Sequence, residues 1–241
     1  MNGYKIKSFR INQDTNESIE IKIAELCEVN YGYYIWPCSI KMARFIHQNR
    51  NGIFNLKEAN LLEIGSGTSL PAIIARKFCN LNRVIITDHL EQNSKLFDLI
   101  KKTLNLNKID LLNRLDDENS NGICLEHFDW SDLDQNFFKK LPKIDFVIGS
   151  DVFFDSAMFE DLIVAISFLI EFINKNLEFY TTYEIRSFNS YLKLLHLIEK
   201  YSLNFIKLEI PEGDHSELSG DEMEIKINSH EIVLLKIFKK I

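Results

Sequence analysis

This chain is poor in the residues that would mark it as secreted, metal-binding or membrane-borne. Its four cysteines, Cys27, Cys38, Cys79 and Cys124, show no C-x-x-C pair and no Cys/His metal spacing. Thiols scattered this widely suit a reducing compartment and imply neither a disulfide framework nor a metal site. No apolar run is long enough to span a bilayer, and residues 1–7 lack the apolar core of a secretory leader. The cytosol or the nucleus is the expected location, and no membrane partner is expected. Basic charge is also short, with 28 Lys and Arg against 35 Asp and Glu, a net charge of −7. Direct nucleic-acid binding relies on basic surfaces, whereas an acidic chain suits a basic protein partner. Repeats, linkers and low-complexity tracts are absent.

What is present is apolar substance and one informative turn. Hydrophobic residues make up 46% of 241 positions, enough for one large core and too many for a disordered chain. The stretch Leu61-Leu62-Glu63-Ile64-Gly65-Ser66-Gly67-Thr68-Ser69-Leu70-Pro71 reads as a buried strand, a glycine turn and the first turn of a helix. Gly65 and Gly67 allow a tight turn and a close approach of backbone to ligand. Thr68 or Ser69 is placed to cap the helix, and Pro71 suits its first turn. The unpaired amides of such a turn favour a carboxylate or a phosphate.

The details narrow the ligand. A dinucleotide site wants G-x-G-x-x-G and an acid about 20 residues on. Here Leu70 replaces the third glycine, although Asp88 follows the next strand. Glu63 lies inside the apolar strand, and a buried carboxylate needs a donor or a cation. The ammonium and sulfonium of S-adenosylmethionine would fit that acid, whereas a pyrophosphate would be repelled. The plainer alternative is an ordinary strand–helix turn with Glu63 paired to a backbone donor.

Around the turn the pattern alternates. Residues 4–11 and 18–29 have period two about a polar turn and read as a hairpin. Residues 39–49 read as a helix, 61–64 as a strand, 71–80 as a helix, 84–87 as a strand and 92–106 as a helix. Residues 114–122 read as a charged loop, 124–128 and 146–149 as strands, and 159–170 as a long amphipathic helix. Strand 179–183, helix 187–201, strand 205–210, an acidic loop at 211–221 and a strand over 225–238 complete the chain. Such alternation predicts an α/β fold with a mostly parallel sheet covered on both faces. Ligands of these sheets sit beyond the carboxyl ends of the strands. Those ends carry Glu63 to Gly67, Asp88, Asp129-Trp130 and Ser150-Asp151, so four polar clusters converge on one rim.

The residues of that rim resemble the seven-β-strand, S-adenosylmethionine-dependent methyltransferases, and most of all the methyltransferase-like group called family sixteen. Tyr31-Gly32-Tyr33-Tyr34-Ile35-Trp36-Pro37, the glycine turn, Phe128-Asp129-Trp130 and Ser150-Asp151-Val152-Phe153-Phe154 each look like an element of that group. Asp151 to Phe154, with Thr182-Tyr183-Glu184-Ile185-Arg186, is most similar to a branch that methylates histone arginine, whereas lysine-modifying relatives more often carry Tyr at the Phe154 position. The resemblance implies a Rossmann-like, doubly wound seven-stranded sheet over residues 31–241, with residues 1–30 as an N-terminal hairpin extension of one methyltransferase domain.

It also implies roles. Gly65, Ser66 and Gly67 would pass close to the methionine part of the cofactor, near Glu63. Asp88 would accept from both ribose hydroxyls. Trp130 would pack on adenine with Asp129 nearby, Ser150 would line the pocket, and Trp36 would close it unless it serves the core. Asp151 would hold the acceptor, with Tyr183 beside it and Asp155 and Glu184 completing an acidic pocket. Asp155 has an alternative as a helix cap, and Arg186 as an ion pair. No Asn/Asp-Pro-Pro-Tyr/Phe follows residue 149, unlike nucleic-acid amino methylases, and the double-glutamate loop of the main arginine enzymes is missing. The expected activity is methyl transfer from S-adenosylmethionine, leaving S-adenosylhomocysteine, to arginine of a basic protein such as a histone tail. The alternatives are lysine of a non-histone protein, a non-catalytic cofactor-binding module and a nicotinamide dehydrogenase.

Overall fold

The computed structural model describes residues 3–12, 18–28, 30–89, 95–112, 115, 121–211, 218–219 and 230–240. Its centre is a seven-stranded sheet in the order β5-β4-β3-β6-β7-β10-β8. These strands are β3 (Asn55–Glu63), β4 (Asn80–Asp88), β5 (Gly122–His127), β6 (Phe146–Ser150), β7 (Glu178–Glu184), β8 (Leu203–Leu208) and β10 (Ile232–Lys239). β3 to β7 run parallel, and β10 lies antiparallel between β7 and β8. The α/β class and the mostly parallel sheet are as expected.

Strand periodicity decides what faces where. Leu61, Val84 and Ile86 point into the core beneath α1 (Pro37–Gln48), α2 (Leu70–Phe78) and α3 (Lys95–Leu106). Their neighbours Leu62 and Ile85 point the other way, under α4 (Gln135–Lys140), α5 (Phe159–Phe168) and α6 (Phe188–Lys200). A sheet buried on both faces needs such unbroken apolar runs, and each buried Leu or Ile adds about 1.5–3 kcal/mol. A π-helical turn, Leu169–Ile173, prolongs α5. Among the described residues no helix is long and apolar enough to cross a membrane.

The hairpin forms as expected, β1 (Tyr4–Asn12) against β2 (Ser18–Leu26). A two-residue strand, β9 (Leu218–Ser219), pairs with β1 inside a stretch that reads as a loop in the sequence. β2 is closed off by α3: the amides of Ala24 and Lys22 donate to Thr103 Oγ1 and Asn107 Oδ1 at 3.1 and 3.0 Å. The hairpin in turn holds the segment ahead of α1. Buried Glu25 accepts the Ile35 amide at 2.8 Å and pairs with Lys7 at 3.2 Å.

Several boundaries differ from expectation. β3 starts at Asn55, six residues early, because its exposed first half carries no apolar alternation. α4 is absent from the sequence reading altogether, being only six residues long. The expected start of helix 92–106, parts of loops 114–122 and 211–221, and residues 225–229 lie outside the described residues.

Candidate active site

A cleft of about 770 Å³ opens beyond the carboxyl ends of β3, β4 and β6. It lies where the strand order reverses, since β4 flanks β3 on one side and β6 on the other. Its floor is the glycine turn. Gly65 and Gly67 both have left-handed backbone, with φ of +56° and +49°. A Cβ on Gly65 would lie 2.8 Å from Val152 Cγ1 and 3.4 Å from the Trp130 ring, and one on Gly67 would lie 3.4 Å from the Gly32 carbonyl. Glycine is required for both the conformation and the space.

The turn already has its anion. The Gly67 amide donates to Asp88 Oδ2 at 2.8 Å, and the His89 amide donates to Oδ1 at 2.7 Å. Burial pushes the Asp88 carboxyl above its ordinary range, and these two amides restrain the shift. The Gly67 amide, expected to be free for an external anion, is therefore taken by the chain's own Asp88. Ser69 occupies the N-cap of α2 at φ 60° without a side-chain cap, while Pro71 lies in the first turn as expected.

The second wall is the segment from Asn30 to Trp36. The Trp36 indole donates to the Tyr31 carbonyl at 2.7 Å. The Tyr31 ring lies 6.1 Å from Trp36 and stacks 6.0 Å from Phe154, so an aromatic cluster forms the mouth. Tyr31 is 71% exposed and Phe154 51%.

The third wall carries charge. Asp151 follows β6 in left-handed backbone, φ +57°, with its amide donating to the Thr182 carbonyl at 2.8 Å. Both of its carboxylate oxygens accept from Arg186, through Nη1 at 2.9 Å and through Nη2. Glu184 pairs with the same guanidinium at 2.9 Å and with His230 Nδ1 at 3.3 Å. The hydrogen bonds to Asp151 raise the Arg186 pKa further above its ordinary value. Burial, then the charges of Asp151 and Glu184, push the Cys38 thiol up as well.

Of the residues named as site candidates from the sequence, Trp36, Gly65, Ser66, Gly67, Asp88, Trp130, Ser150 and Asp151 line this cleft. Glu63, Asp129, Asp155 and Tyr183 do not. Glu63 is buried on the α1–α2 face, where it accepts the Ala72 amide, and burial raises its pKa well above the carboxylate range. Asp129 accepts the Ser131 amide and hydroxyl at 2.9 and 2.7 Å and approaches His89 at 3.5 Å. Burial, which raises its pKa, is outweighed by these donors, and the net shift is downward. Asp155 is a turn residue accepting from the Ala157 amide at 2.9 Å, and Met158 takes the cap of α5. Tyr183 points to the opposite face of β7, among Phe153, Phe159 and Tyr191, with its hydroxyl 2.9 Å from Ser190 Oγ. Arg186 forms the ion pair that the sequence offered as its alternative, and that pair lies on the cleft wall. His89, His230 and Tyr31 also line the wall, and no residue pattern singled them out as site residues.

The cleft's polar lining suits a nucleoside carrying a charged tail. Four residues of its walls, Ser39, Ser66, Trp130 and Ser150, carry a buried polar side-chain atom without a hydrogen-bond partner in the protein.

Comparison with known proteins agrees. The histone-arginine methyltransferase METTL23 of Xenopus laevis is 28% identical over 222 residues, covering 92% of this chain and 87% of that protein. The protein-lysine methyltransferase METTL21E of Mus musculus is 28% identical over 200 residues, 75% of this chain and 76% of that one. A TehB-like SAM-dependent methyltransferase from Corynebacterium glutamicum shares the fold, with a TM-score of 0.50 at 13% identity over 83% of this chain and 88% of the other. The family described as lysine methyltransferase matches residues 15–201. That span runs from the hairpin to just past α6 and takes in every wall residue of the cleft except His230, and the chain belongs to this family of S-adenosylmethionine-dependent methyltransferases.

Proposed function

We propose that this methyltransferase acts on arginine of a basic protein, with histone tails as the first candidates. The observation that carries the reading is the acid pair of Asp151 and Glu184. It lines the same cleft as the glycine turn and grips a guanidinium, that of Arg186, through both oxygens of one carboxylate. A planar fork of this kind suits arginine better than lysine. The name borne by METTL23 supports the same choice.

S-adenosylmethionine, when bound, supplies an electrophilic methyl on its sulfonium. The residues placed to hold it are Gly65, Ser66 and Gly67 at its amino-acid part, Asp88 at the ribose, Trp130 at the adenine and Ser150 on the wall. Each Asp88 oxygen accepts one amide and keeps a lone pair for a hydroxyl. Trp36 and Tyr31 close the mouth and exclude water. Asp151 orients the substrate guanidinium and accepts the proton that its reacting nitrogen gives up. Much of the acceleration comes from holding that nitrogen in line.

A second reading, transfer to lysine, is favoured by the family's description and by METTL21E. Incubation with methyl-labelled S-adenosylmethionine and core histones, followed by amino-acid analysis of the labelled band, separates the two. Methylarginine supports the proposal, and methyllysine overturns it.

A further inference from the structure

The acceptor end of the cleft holds a guanidinium that belongs to the protein. Asp151 is 9% exposed and the side chain of Glu184 14%, so both carboxylates lie largely out of water. Two unpaired buried charges at that position would be costly. Arg186 pairs with both, reaching back from the bend between β7 and α6, and His230 makes a further contact with Glu184. Its side chain remains 34% exposed, and its backbone is tied locally, the amide donating to the Glu184 carbonyl at 2.9 Å. The head of Arg186 is thus free to leave by rotations of its stem, without moving β7 or α6. Asp151, by contrast, is anchored at its main chain, by its left-handed backbone and its amide bond to Thr182.

We propose that Arg186 is a resident stand-in for the substrate's guanidinium, occupying the acceptor position between Asp151 and Glu184 until an incoming arginine replaces it. The proposal rests on the arginine reading above and adds a source of selectivity to it. An incoming guanidinium restores both parallel contacts to Asp151 that Arg186 gives up. An incoming ammonium restores one point contact and leaves part of the fork unpaired. Lysine is thereby rejected through the contacts it fails to replace, not through a clash. The aromatic pair Tyr31 and Phe154 lines the same cleft at its mouth, where the stem of an entering side chain would pass.

The test is peptide affinity with S-adenosylhomocysteine at saturation, measured by calorimetry. The probe is a core-histone tail peptide that carries arginine and has its lysines changed to glutamine. Arg186→Ala and Arg186→Gln each remove the competing occupant, and both should bind the peptide about tenfold tighter than the unaltered chain, if Arg186 fills the site about nine-tenths of the time. A methylguanidinium ion should compete with the peptide in both variants. Equal or weaker peptide binding by variants that still bind S-adenosylhomocysteine normally would overturn the stand-in and leave Arg186 as a fixed ion pair. The unaltered chain gives a second readout that needs no variant to fold. The guanidinium protons of Arg186, followed by NMR, should exchange faster with water once peptide is bound, and an unchanged rate would also sink the proposal. Affinity is read without turnover, so a methyllysine product would remove the arginine reading by a separate route.

Discussion

Asp88 Oδ2 accepts the amide proton of Gly67 at 2.8 Å, so the acid that ends β4 is bound to the turn that follows β3. The bond joins two neighbouring strand ends 21 residues apart in sequence and aligns the carboxylate with the cleft. Floor and rim acid are therefore one hydrogen-bonded unit.

Asp88→Asn should weaken S-adenosylhomocysteine binding. The amide side chain keeps an oxygen for Gly67 but loses charge at the hydroxyl-binding position. Hydrogen bonds to a charged group contribute about 1.5–3 kcal/mol, which corresponds to a roughly ten- to hundredfold rise in Kd. Calorimetric titration measures it, and an unchanged Kd would remove Asp88 from the cofactor site.

Gly65→Ala separates backbone strain from crowding. The positive φ alone costs an L residue about 1–2 kcal/mol. The added methyl also meets Val152 Cγ1 at 2.8 Å. Combining Gly65→Ala with Val152→Ala should recover the crowding part and leave the backbone part, read as non-additivity in urea melts. Strictly additive effects would mean that Val152 yields at no cost.

The parts of this fold that the sequence reveals are those where period and burial agree. Leu61 to Ile64 and Val84 to Thr87 are buried and, Glu63 and Thr87 apart, apolar, so their strands, and the polar residues that end them, stand out. Asn55 to Glu58 belong to β3 yet are exposed, and no pattern marks them. β7 shows what alternation alone settles. Thr182 and Glu184 face α1 and the cleft, so Tyr183 must face α5 and α6, and the two sets cannot share a pocket. The same parity sends Glu63 toward Ala72. The pairing of Arg186 with Asp151 spans 35 residues and depends on the reach of a side chain, which no local pattern encodes.

Glu63 should give stability an inverse dependence on pH. Burial is the main cause of its raised pKa, the Asp88 charge adds to it, and the Ala72 amide opposes it. The folded state therefore holds this proton to higher pH than the unfolded chain, whose glutamate titrates near pH 4.3. Below that point the group contributes no difference. Above it, stability falls as pH rises, until the folded carboxyl also ionises. Glu63→Gln carries no proton to lose, so its stability relative to the unaltered chain should improve as pH rises above about 4.3 and level off once the folded carboxyl ionises. Urea midpoints across that range provide the check, and a constant difference would show that Glu63 is ionised throughout.

Asp151 and Tyr183 are 32 positions apart on adjacent strand systems, and the geometry assigns them opposite fates. Asp151→Asn keeps the size of the side chain while removing the charge proposed to orient the acceptor and take its proton. Methyl transfer should fall about 10²- to 10⁴-fold, the usual contribution of a positioned acid or base. Binding of S-adenosylhomocysteine should be unaffected, because the role proposed for Asp151 is toward the acceptor and not the cofactor. Tyr183→Phe removes a hydroxyl bonded to Ser190 on the far face of β7. It should cost about 1 kcal/mol of stability, the net worth of one hydrogen bond, and leave the transfer rate unchanged. Initial rates of both variants on core histones, taken with their melting curves, decide the matter. A folded Tyr183→Phe chain as slow as Asp151→Asn would mean that Tyr183 reaches the cleft during turnover.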